Sequence, residues 1–319
     1  MSSSSEEEKK KKKGKKDKHV IGKYRRGLRL GSGSYGTVYD GVNSQTNAAV
    51  AIKKQRYQAN DGVQQHLLRE LVALAELKHQ NIVQLLDVIF DRDRGRCWLI
   101  LERMDLDLNN YISTLLGEDI EMRLCQSYVS QLLCGVQFCH ARGLVHGDLK
   151  PQNLLINMQG DLKIADFGLA RLLSGQNCIR DTEIATRWYR PPEMLLGSAV
   201  YNSALDMWSV GCIFGEMLHK KPLFPGDCEI DTLYRIFRIL GTVDESSLPG
   251  VEKMPFYRNN FPKWSSSPLT KTCPDLSESG IDLLSRFLCY TDRISASEAL
   301  RHPWLSETVK AENSCCLLN

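Results

Sequence analysis

The first third of the chain carries short apolar runs separated by polar residues, as β-strands do. These runs alternate with a period of two or are rich in β-branched and aromatic residues. They cover residues 24–30, 37–42, 49–53, 81–89 and 97–101. Residues 63–78 instead repeat Leu, Val and Ala at helical spacing. This part, about residues 20–102, therefore predicts a small sheet with one helix.

The rest of the chain, about residues 105–308, predicts mainly helices. Residues 121–142 form a long apolar-periodic pattern closed by Gly143, and residues 202–218 form another. The two parts together predict an α+β chain. Its 319 residues are enough for one two-lobed unit or for two domains.

Three glycines, Gly31, Gly33 and Gly36, separate the first two predicted strands. Their spacing also fits dinucleotide-binding folds, in which such a loop opens a helix. Here a β-branched and aromatic run follows, which favours strand–turn–strand. Glycines let backbone N–H groups approach phosphate oxygens. Lys53 ends the third strand, where a lysine is usually a surface residue. After such a loop it is predicted to bind the α- and β-phosphates of a nucleotide.

Four polar residues in the middle of the chain predict phosphoryl transfer. Asp148 can accept a hydroxyl proton, and Lys150 can reach a transferring phosphoryl group. Asn153 and Asp166 offer the oxygen ligands that Mg²⁺ prefers. Each short motif is common by chance, but the four residues after a glycine loop and a strand lysine form a specific combination.

These residues resemble the catalytic loop and the metal-binding triplet of protein kinases. The chain is similar, over about residues 22–307, to the cyclin-dependent kinases, which are serine/threonine kinases of the CMGC group. Three segments carry this similarity: residues 166–193, 221–243 and 293–305. The resemblance implies a bilobal protein kinase fold over residues 19–308. A small antiparallel sheet lobe with one regulatory helix would precede a larger, mainly helical lobe.

The resemblance implies an ATP-dependent serine/threonine kinase that uses Mg²⁺ and acts in cell-cycle or transcription control. Its protein substrates would carry Ser/Thr-Pro sites, because the arginine matching Arg190 leaves a surface that accepts proline. One departure is Gly147, which stands where the family usually has arginine. It gives weight to the alternative of a pseudokinase scaffold that binds a cyclin-like partner. All the polar residues that phosphate transfer requires are present, which argues against this alternative because a scaffold does not need them.

The resemblance also assigns residues to the nucleotide and the substrate. Backbone groups of Glu102 and Met104 would bind adenine, and Glu70 would pair with the phosphate-binding lysine. Thr186 would bond Asp148 and Lys150. Five apolar residues would enclose the adenine: Leu30, Val38, Ala51, Leu101 and Leu155. Each of these five also fits a plain hydrophobic core, and the glutamate also fits an exposed helical position.

Regulation is implied at two places in the first lobe. A cyclin-like regulatory subunit would dock on the helix from Gln64 to Glu70, although polar residues near its start depart from the family. Ser34 and Tyr35 lie where the family takes inhibitory phosphates, whose negative charge would repel ATP. Both residues also fit an ordinary loop.

Asp181 stands where the cyclin-dependent kinases usually carry an activating threonine. The phosphate on that threonine normally meets three arginines, and these positions here hold Arg69, Gly147 and Arg171. We hypothesise that Asp181 pairs with the two remaining arginines and orders the loop without phosphorylation. The alternative is that Asp181 is a solvated loop residue and that Thr182 is the phosphosite.

The two ends of the chain carry signals of their own. Residues 1–18 sum to +4 and the whole chain to +3, so the remainder sums to −1 and is not expected to bind nucleic acid directly. This Lys-rich tail is expected to be disordered. It is either a solvated segment without a further role, a nuclear import signal or a segment that attaches to anionic lipid.

The C-terminal tail, residues 309–319, ends in a Cys-a-a-X pattern that begins at Cys316. The pattern predicts weak membrane attachment through prenylation, although chance matches are common. The cysteines lack disulfide spacing, which favours reduced thiols in the cytoplasm, the nucleus or both.

Overall fold

The computed structural model describes residues 19–33, 36–56, 64–115, 120–173 and 187–306. These residues form two compact units. The first holds the described chain up to Leu68 together with Gln84–Met104. The second holds Arg69–Val83 together with the described chain from Asp105 onward. The first unit is built on a β-sheet and the second is mainly helical, so the predicted α+β fold class is confirmed.

The first unit is built on a six-stranded antiparallel sheet. Its strands are β1 (Val20–Ile21), β2 (Tyr24–Gly33), β3 (Gly36–Asn43), β4 (Ala49–Arg56), β5 (Leu85–Asp91) and β6 (Arg96–Glu102). They lie in the order β1-β2-β3-β4-β6-β5. Gly33 is the cross-strand partner of Gly36, so the predicted strand–turn–strand around the glycines is confirmed.

The strand register divides the side chains of this sheet between two faces. Directly opposed residues on neighbouring strands share a face, as do residues two apart on one strand. Lys53 lies opposite Val38 and Leu99, and Ala51 lies opposite Leu101. These five residues therefore share one face, which we call the lysine face.

The opposite face, which we call the tryptophan face, carries a small hydrophobic cluster. Its buried members are Ile21, Tyr24, Val50, Ile52, Trp98 and Ile100. The half-buried side chains of Tyr39 and Ile89 pack against them. This cluster gives the sheet an apolar core on the side opposite Lys53.

Helix α1 (Gln65–Glu76) lies within the stretch predicted to be helical. The strand predicted over residues 81–89 is wrong at its start, because β5 begins only at Leu85. Asn81 instead donates its side-chain amide to the Leu162 carbonyl at 3.0 Å. The Val83 N–H donates to a carbonyl of the same neighbouring segment, at 2.9 Å. The residues before β5 are therefore drawn into the second unit.

The second unit is mainly helical. Its helices are α2 (Leu108–Thr114), α3 (Met122–His140), α4 (Pro192–Leu195), α5 (Ala204–His219), α6 (Glu229–Leu240), α7 (Glu278–Phe287) and α8 (Ala296–Ala299). Its short strands are β7 (Leu106–Asp107), β8 (Leu144–Val145), β9 (Leu154–Ile156), β10 (Leu162–Ile164) and β11 (Arg171–Leu172). Strand β9 pairs with β7 and β10, and β8 pairs with β11. None of the helices in the described ranges has the length and apolar character of a membrane span.

Helix α5 lies at the centre of the second unit. Every residue from Leu205 to Met217 is buried, as expected for a helix that is apolar on all sides. Helices α3 and α7 pack against it. Near its start, the Trp208 ring stacks on Phe224 with centroids 5.7 Å apart. Asp206 is a buried carboxylate in this helix. A buried carboxylate needs hydrogen-bond partners.

A buried ion pair ties the start of α4 to the segment before α8. The Arg293 guanidinium donates to both carboxylate oxygens of Glu193, at 2.5 and 2.7 Å. The Arg293 side chain is only 2% exposed. A two-pronged contact of this kind fixes orientation as well as distance.

Candidate active site

The loop after β8 is held by a buried carboxylate on helix α5. Asp206 Oδ2 accepts the His146 N–H at 2.9 Å, and Asp206 Oδ1 accepts the Gly147 N–H at 2.8 Å. His140 Nε2 lies 2.8 Å from Asp206 Oδ2. Burial alone would raise the pKa of Asp206, but these hydrogen bonds and the nearby histidines hold it below its ordinary value. The backbone that leads into Asp148 is therefore fixed.

Asp148 has a buried carboxylate that is only partly used. Asp148 Oδ2 accepts the Lys150 ammonium at 2.6 Å and Asn153 Nδ2 at 3.1 Å. Asn153 Nδ2 also donates to the Asp148 carbonyl at 2.8 Å. Among the residues that the structure describes, no donor reaches Asp148 Oδ1. Within the described residues, this oxygen is therefore open to a further hydrogen bond.

A narrow cleft opens beside this carboxylate. Its lining includes Gly147, Asp148, Tyr189, Arg190, Pro191 and Met194. Arg190 Nη1 lies 3.3 Å from Glu229 Oε1 on α6. Ser209 Oγ on α5 donates to the Tyr189 carbonyl at 2.9 Å. The wall of the cleft is thus anchored to two helices.

Asp166 is brought towards Asn153 through the backbone. The Ala165 N–H donates to the Asn153 carbonyl at 2.9 Å. The Ala165 carbonyl lies 3.0 Å from His146 Nε2. Asp166 has a φ of 63°, a left-handed conformation that is uncommon outside glycine and that clusters at functional sites. The structure therefore collects Asp148, Asn153 and Asp166 in one group of loops.

The donor atoms of Asn153 and Asp166 fit a hard divalent cation. Asn153 commits its Nδ2 to Asp148, which leaves its Oδ1 to act as a ligand. Asp166 adds a carboxylate. Mg²⁺ usually takes only one or two protein ligands and completes its shell with water and phosphate oxygens. This pair therefore fits Mg²⁺ in number and in chemistry.

The lysine face holds the predicted nucleotide residues of the first unit. Val38, Ala51 and Leu101 share it with Lys53, as the register requires. Lys53 is 7% exposed, and lysine is rarely buried so deeply unless its charge is compensated. A buried cation on an apolar face is suited to bind an anion.

The glycines of the β2–β3 hairpin are not equivalent. A Cβ at Gly36 would collide with the Lys54 carbonyl, so packing within the sheet excludes a side chain there. At Gly31 and Gly33, no described atom lies within 4 Å of the point that a Cβ would occupy. Leu30, which precedes them, is 46% exposed. The open space beside Gly31 and Gly33 agrees with the prediction that a ligand approaches the backbone there.

The predicted adenine-binding groups follow β6. The Glu102 N–H donates to the Gln84 carbonyl at 3.0 Å, and Glu102 Oε1 accepts the Gln84 N–H at 2.7 Å. The Glu102 amide is therefore already used, and only its carbonyl would serve an adenine. Met104 is buried. Arg103, which lies between them in the sequence, forms an ion pair with Asp40, and its Nε is 2.9 Å from Asp40 Oδ1.

Glu70 and Leu155 are placed in the second unit. Glu70 on α1 is only 1% exposed, so the alternative of an exposed helical glutamate is wrong. Leu155 on β9 is half-buried. The pairing of Glu70 with Lys53 stays a prediction.

Tyr201 occupies the space beside Gly147. Gly147 has a φ of 75°, and a Cβ at this position would overlap the Tyr201 hydroxyl. The Arg171 guanidinium lies 5.5 Å from the Tyr201 ring centroid. Burial raises the pKa of Tyr201 and Asp206 raises it further, while Arg171 and Arg69 oppose them. Arg171 and Arg69, the two arginines that the sequence predicts to pair with Asp181, therefore both act on Tyr201.

Sequence reasoning missed the roles of Asp206 and Tyr201. An acidic residue at the start of a helix that is otherwise apolar signals a carboxylate with internal partners, so Asp206 had a detectable signal. The glycine at position 147 implied that something else fills the space, but not which residue does so.

Some of the predicted regulatory and substrate residues lie outside the described residues. They are Ser34, Tyr35, Asp181, Thr182 and Thr186, and the two tails, residues 1–18 and 309–319, lie outside as well. Their roles stay predictions.

Comparison with known protein families agrees with this arrangement. Residues 24–305 match the protein kinase domain, which covers most of the chain from β2 to the end of the described residues. The match spans both the glycine hairpin and the segment around Asp148. Because the matched region includes both units, the chain belongs to the protein kinase domain family.

Proposed function

We propose that this protein kinase phosphorylates serine and threonine, prefers a proline after the target residue, and is activated by a cyclin-like partner. Membership of the family implies phosphate transfer to protein substrates, and protein kinase domains use ATP with a divalent metal, usually Mg²⁺. The observation that carries the proposal is the partly used carboxylate of Asp148, with Lys150 at 2.6 Å.

The residues of the chain have separate tasks in the proposed reaction. Asp148 Oδ1 accepts the proton of the substrate hydroxyl, while Lys150 holds the other oxygen and neutralises charge on the transferring group. Lys53 binds the nucleotide phosphates. Asn153 and Asp166 hold the metal. Bound Mg-ATP supplies the phosphoryl group and a cation that neutralises charge on the phosphates.

Two features support the substrate preference. Lys150, two residues after the proposed base, fits serine/threonine kinases better than tyrosine kinases. Arg190 pairs with Glu229 at 3.3 Å beside the cleft of Asp148. By resemblance, the surface left by this arginine accepts proline. Proline lacks an N–H, so it leaves no buried donor unsatisfied in such a site.

The surface of α1 supports a docking partner. Leu68 is 46% exposed and Val72 is 55% exposed, and their spacing of four places them on one face of the helix. An apolar stripe of this kind suits the helix-on-helix contact of a cyclin-like subunit. The same helix carries Glu70, so a partner docked there would act on a residue of the proposed site.

The permanent ordering of the loop by Asp181 is part of the proposal. The grouping of Arg69 and Arg171 around Tyr201 supports a site for one negative charge. Asp181→Ala is expected to lower activity sharply. Full activity of that variant, or a requirement for phosphate on Thr182, would favour the alternative.

A phosphate-transfer assay tests the proposal and its rival together. The chain, purified with its native partner, is incubated with radiolabelled ATP and peptides that carry Ser-Pro, Ser-Ala or Tyr-Pro. We expect transfer to the Ser-Pro peptide, loss of transfer in Asp148→Asn, and no change in the control Asp275→Asn. The control residue is an exposed aspartate of the second unit. No transfer by the wild-type complex would support the pseudokinase scaffold instead.

The location of the protein also remains a proposal, in the cytoplasm, the nucleus or both. Import or lipid attachment through the Lys-rich tail is tested by a Lys→Ala tail variant, whose unchanged distribution in cells would exclude both. Intact-mass analysis that finds an unmodified Cys316 would exclude prenylation.

A further inference from the structure

Four cations lie close together on the tryptophan face of the first unit, away from every residue assigned to the nucleotide. They are Arg26, Lys54, Arg56 and Arg96. Burial lowers the pKa of the Lys54 ammonium, and the charges of Arg96, Arg56 and Arg26 lower it further. The contribution of all three arginines indicates a positive cluster, which we call the basic patch.

The register shows why these charges meet. Arg56 on β4 lies directly opposite Arg96 on β6, and like charges in such a pair destabilise a sheet. Lys54 lies opposite Trp98, with its ammonium 5.8 Å from the Trp98 ring centroid. The fold therefore keeps an arrangement that works against its own stability.

Arg26 lies in the patch with a donor that no described residue satisfies. Its guanidinium lies 4.5 Å from the Tyr39 ring centroid and 5.9 Å from the Trp98 ring centroid. Its Nε is buried and has no hydrogen-bond partner in the part of the chain that the structure describes. The two aromatic rings fix the cation in place without neutralising it.

Within the described residues, no carboxylate neutralises the patch. None of its four cations forms an ion pair with a described acidic residue. Asp91 lies opposite Arg96 on β5, but its carboxylate is engaged by Arg94, 3.5 Å away. Asp87 is engaged by Lys23 at 3.5 Å, and Tyr24 donates to it at 3.0 Å. Among the described residues, the positive charge of the patch therefore has no acidic partner.

The patch borders a broad, open groove on the same face. Its apolar lining includes Val20, Ile21, Phe90 and Trp98. Four arginines also line it, Arg26, Arg92, Arg94 and Arg96, and they outnumber its two aspartates, Asp91 and Asp93. Val20 is 51% exposed and Phe90 is 47% exposed. The groove thus places apolar surface next to the positive charges.

The positive charge of the basic patch and the covered aromatic rings beside it indicate which kind of ligand the groove binds. Residues 1–18 sum to +4 and the whole chain to +3, so neither this tail nor a second copy of the chain offers a net negative charge. Single-stranded nucleic acid needs aromatic faces on which bases stack. Trp98 is only 5% exposed, and cations lie over the rings of Trp98 and Tyr39.

We propose that the basic patch and its groove bind an acidic segment of a partner protein, with glutamates or aspartates on the four cations and an apolar residue beside Phe90. This interaction surface is separate from the phosphate-transfer site and does not depend on the substrate preference proposed above.

The test measures peptide binding to the full chain by fluorescence anisotropy at low and physiological salt. The probe is a fluorescein-labelled peptide of glutamates around a central leucine pair. The variant Arg56→Gln/Arg96→Gln removes two charges of the patch. The control Lys253→Gln/Lys271→Gln removes two exposed charges of the second unit. Any attraction to the basic tail is common to all three proteins.

We expect the patch variant to bind the peptide at least about tenfold more weakly and the control to bind as the wild type does. The melting temperature of the patch variant should not fall, because an opposed like-charge pair has been removed. Equal weakening in both variants, or no binding by the wild type, would overturn the proposal. Tighter binding of a single-stranded RNA probe that is lost in the patch variant would also overturn it.

Discussion

Two buried aspartates of the second unit lie close in the fold and differ in how their oxygens are used. Asp206 is 1% exposed, and its two carboxylate oxygens accept the backbone N–H groups of His146 and Gly147. One of these oxygens also lies within hydrogen-bond distance of the His140 ring. Asp148 is 8% exposed, and its contacts to Lys150 and Asn153 fall on one oxygen only.

The difference separates a structural carboxylate from a chemical one. A carboxylate with all its acceptors filled by rigid donors is held ionised and has no capacity for a proton. A carboxylate with one oxygen left at the wall of a cleft keeps that capacity. Asp206 therefore positions the backbone that carries Asp148, and we propose that Asp148 performs the chemistry. The predictions below test this division of tasks.

The largest expected effect on stability is from Asp206→Asn. The asparagine amide has an NH₂ group where the carboxylate has an oxygen, so one of the hydrogen bonds to Asp206 is replaced by two donors that face each other. Breaking a buried charge network of this kind costs about 3–5 kcal/mol. Denaturant unfolding should show this loss in the free energy of unfolding. Because the pKa of Asp206 lies below its ordinary value, its contribution is present above the unfolded pKa and is lost as pH falls through the folded one. Wild-type stability in Asp206→Asn at neutral pH would contradict the structural role.

Glu216 on α5 is expected to give a somewhat smaller effect of opposite sign. Burial raises its pKa from 4.5 to about 7, and the hydrogen bond from the Tyr189 hydroxyl opposes this shift. The folded chain therefore keeps a proton that the unfolded chain releases. The contribution of Glu216 to stability is full below pH 4.5 and is lost as pH rises towards 7, by up to about 3 kcal/mol.

Glu216→Gln should remove that loss, since glutamine still accepts from Tyr189. We expect a higher melting temperature than the wild type at pH 8 and a smaller gain at pH 5.5. An equal gain at both pH values would show that the carboxyl group does not titrate in this range.

Gly147→Ala should cost about 2 kcal/mol, the smallest of the three effects on stability. The methyl group meets a left-handed backbone, which costs about 1–2 kcal/mol, and overlaps the Tyr201 hydroxyl. The double variant Gly147→Ala/Tyr201→Phe should recover part of the loss, because the overlapping oxygen is gone. Strictly additive losses in a double-mutant cycle would show that the two side chains do not share this space.

The local elements were predictable because their signals lie within a few residues. The hairpin at Gly33 and Gly36 followed from the aromatic and β-branched run after it, and α1 followed from its period. The spacing of Asp148 and Asn153 also predicted that they act together, and the structure brings them within 3.1 Å.

The remaining features depend on pairing between distant parts of the chain. Asp206 reaches Gly147 across 59 positions, and no local pattern encodes that distance. The strand predicted from residue 81 failed for the same reason, since Asn81 bonds Leu162 rather than continuing the sheet. The basic patch needs the strand register, because Arg56 and Arg96 become neighbours only when β4 and β6 pair.

The central claim, that Asp148 is the proton acceptor and is not needed for the fold, is tested most directly by the transfer rate of Asp148→Asn at saturating ATP, normalised to folded protein. The account predicts a rate about a thousandfold below that of the wild type, with the melting temperature within about 3 °C of it. A rate within a few-fold of the wild type would contradict the assignment, and so would a loss of activity that simply follows a loss of folded protein.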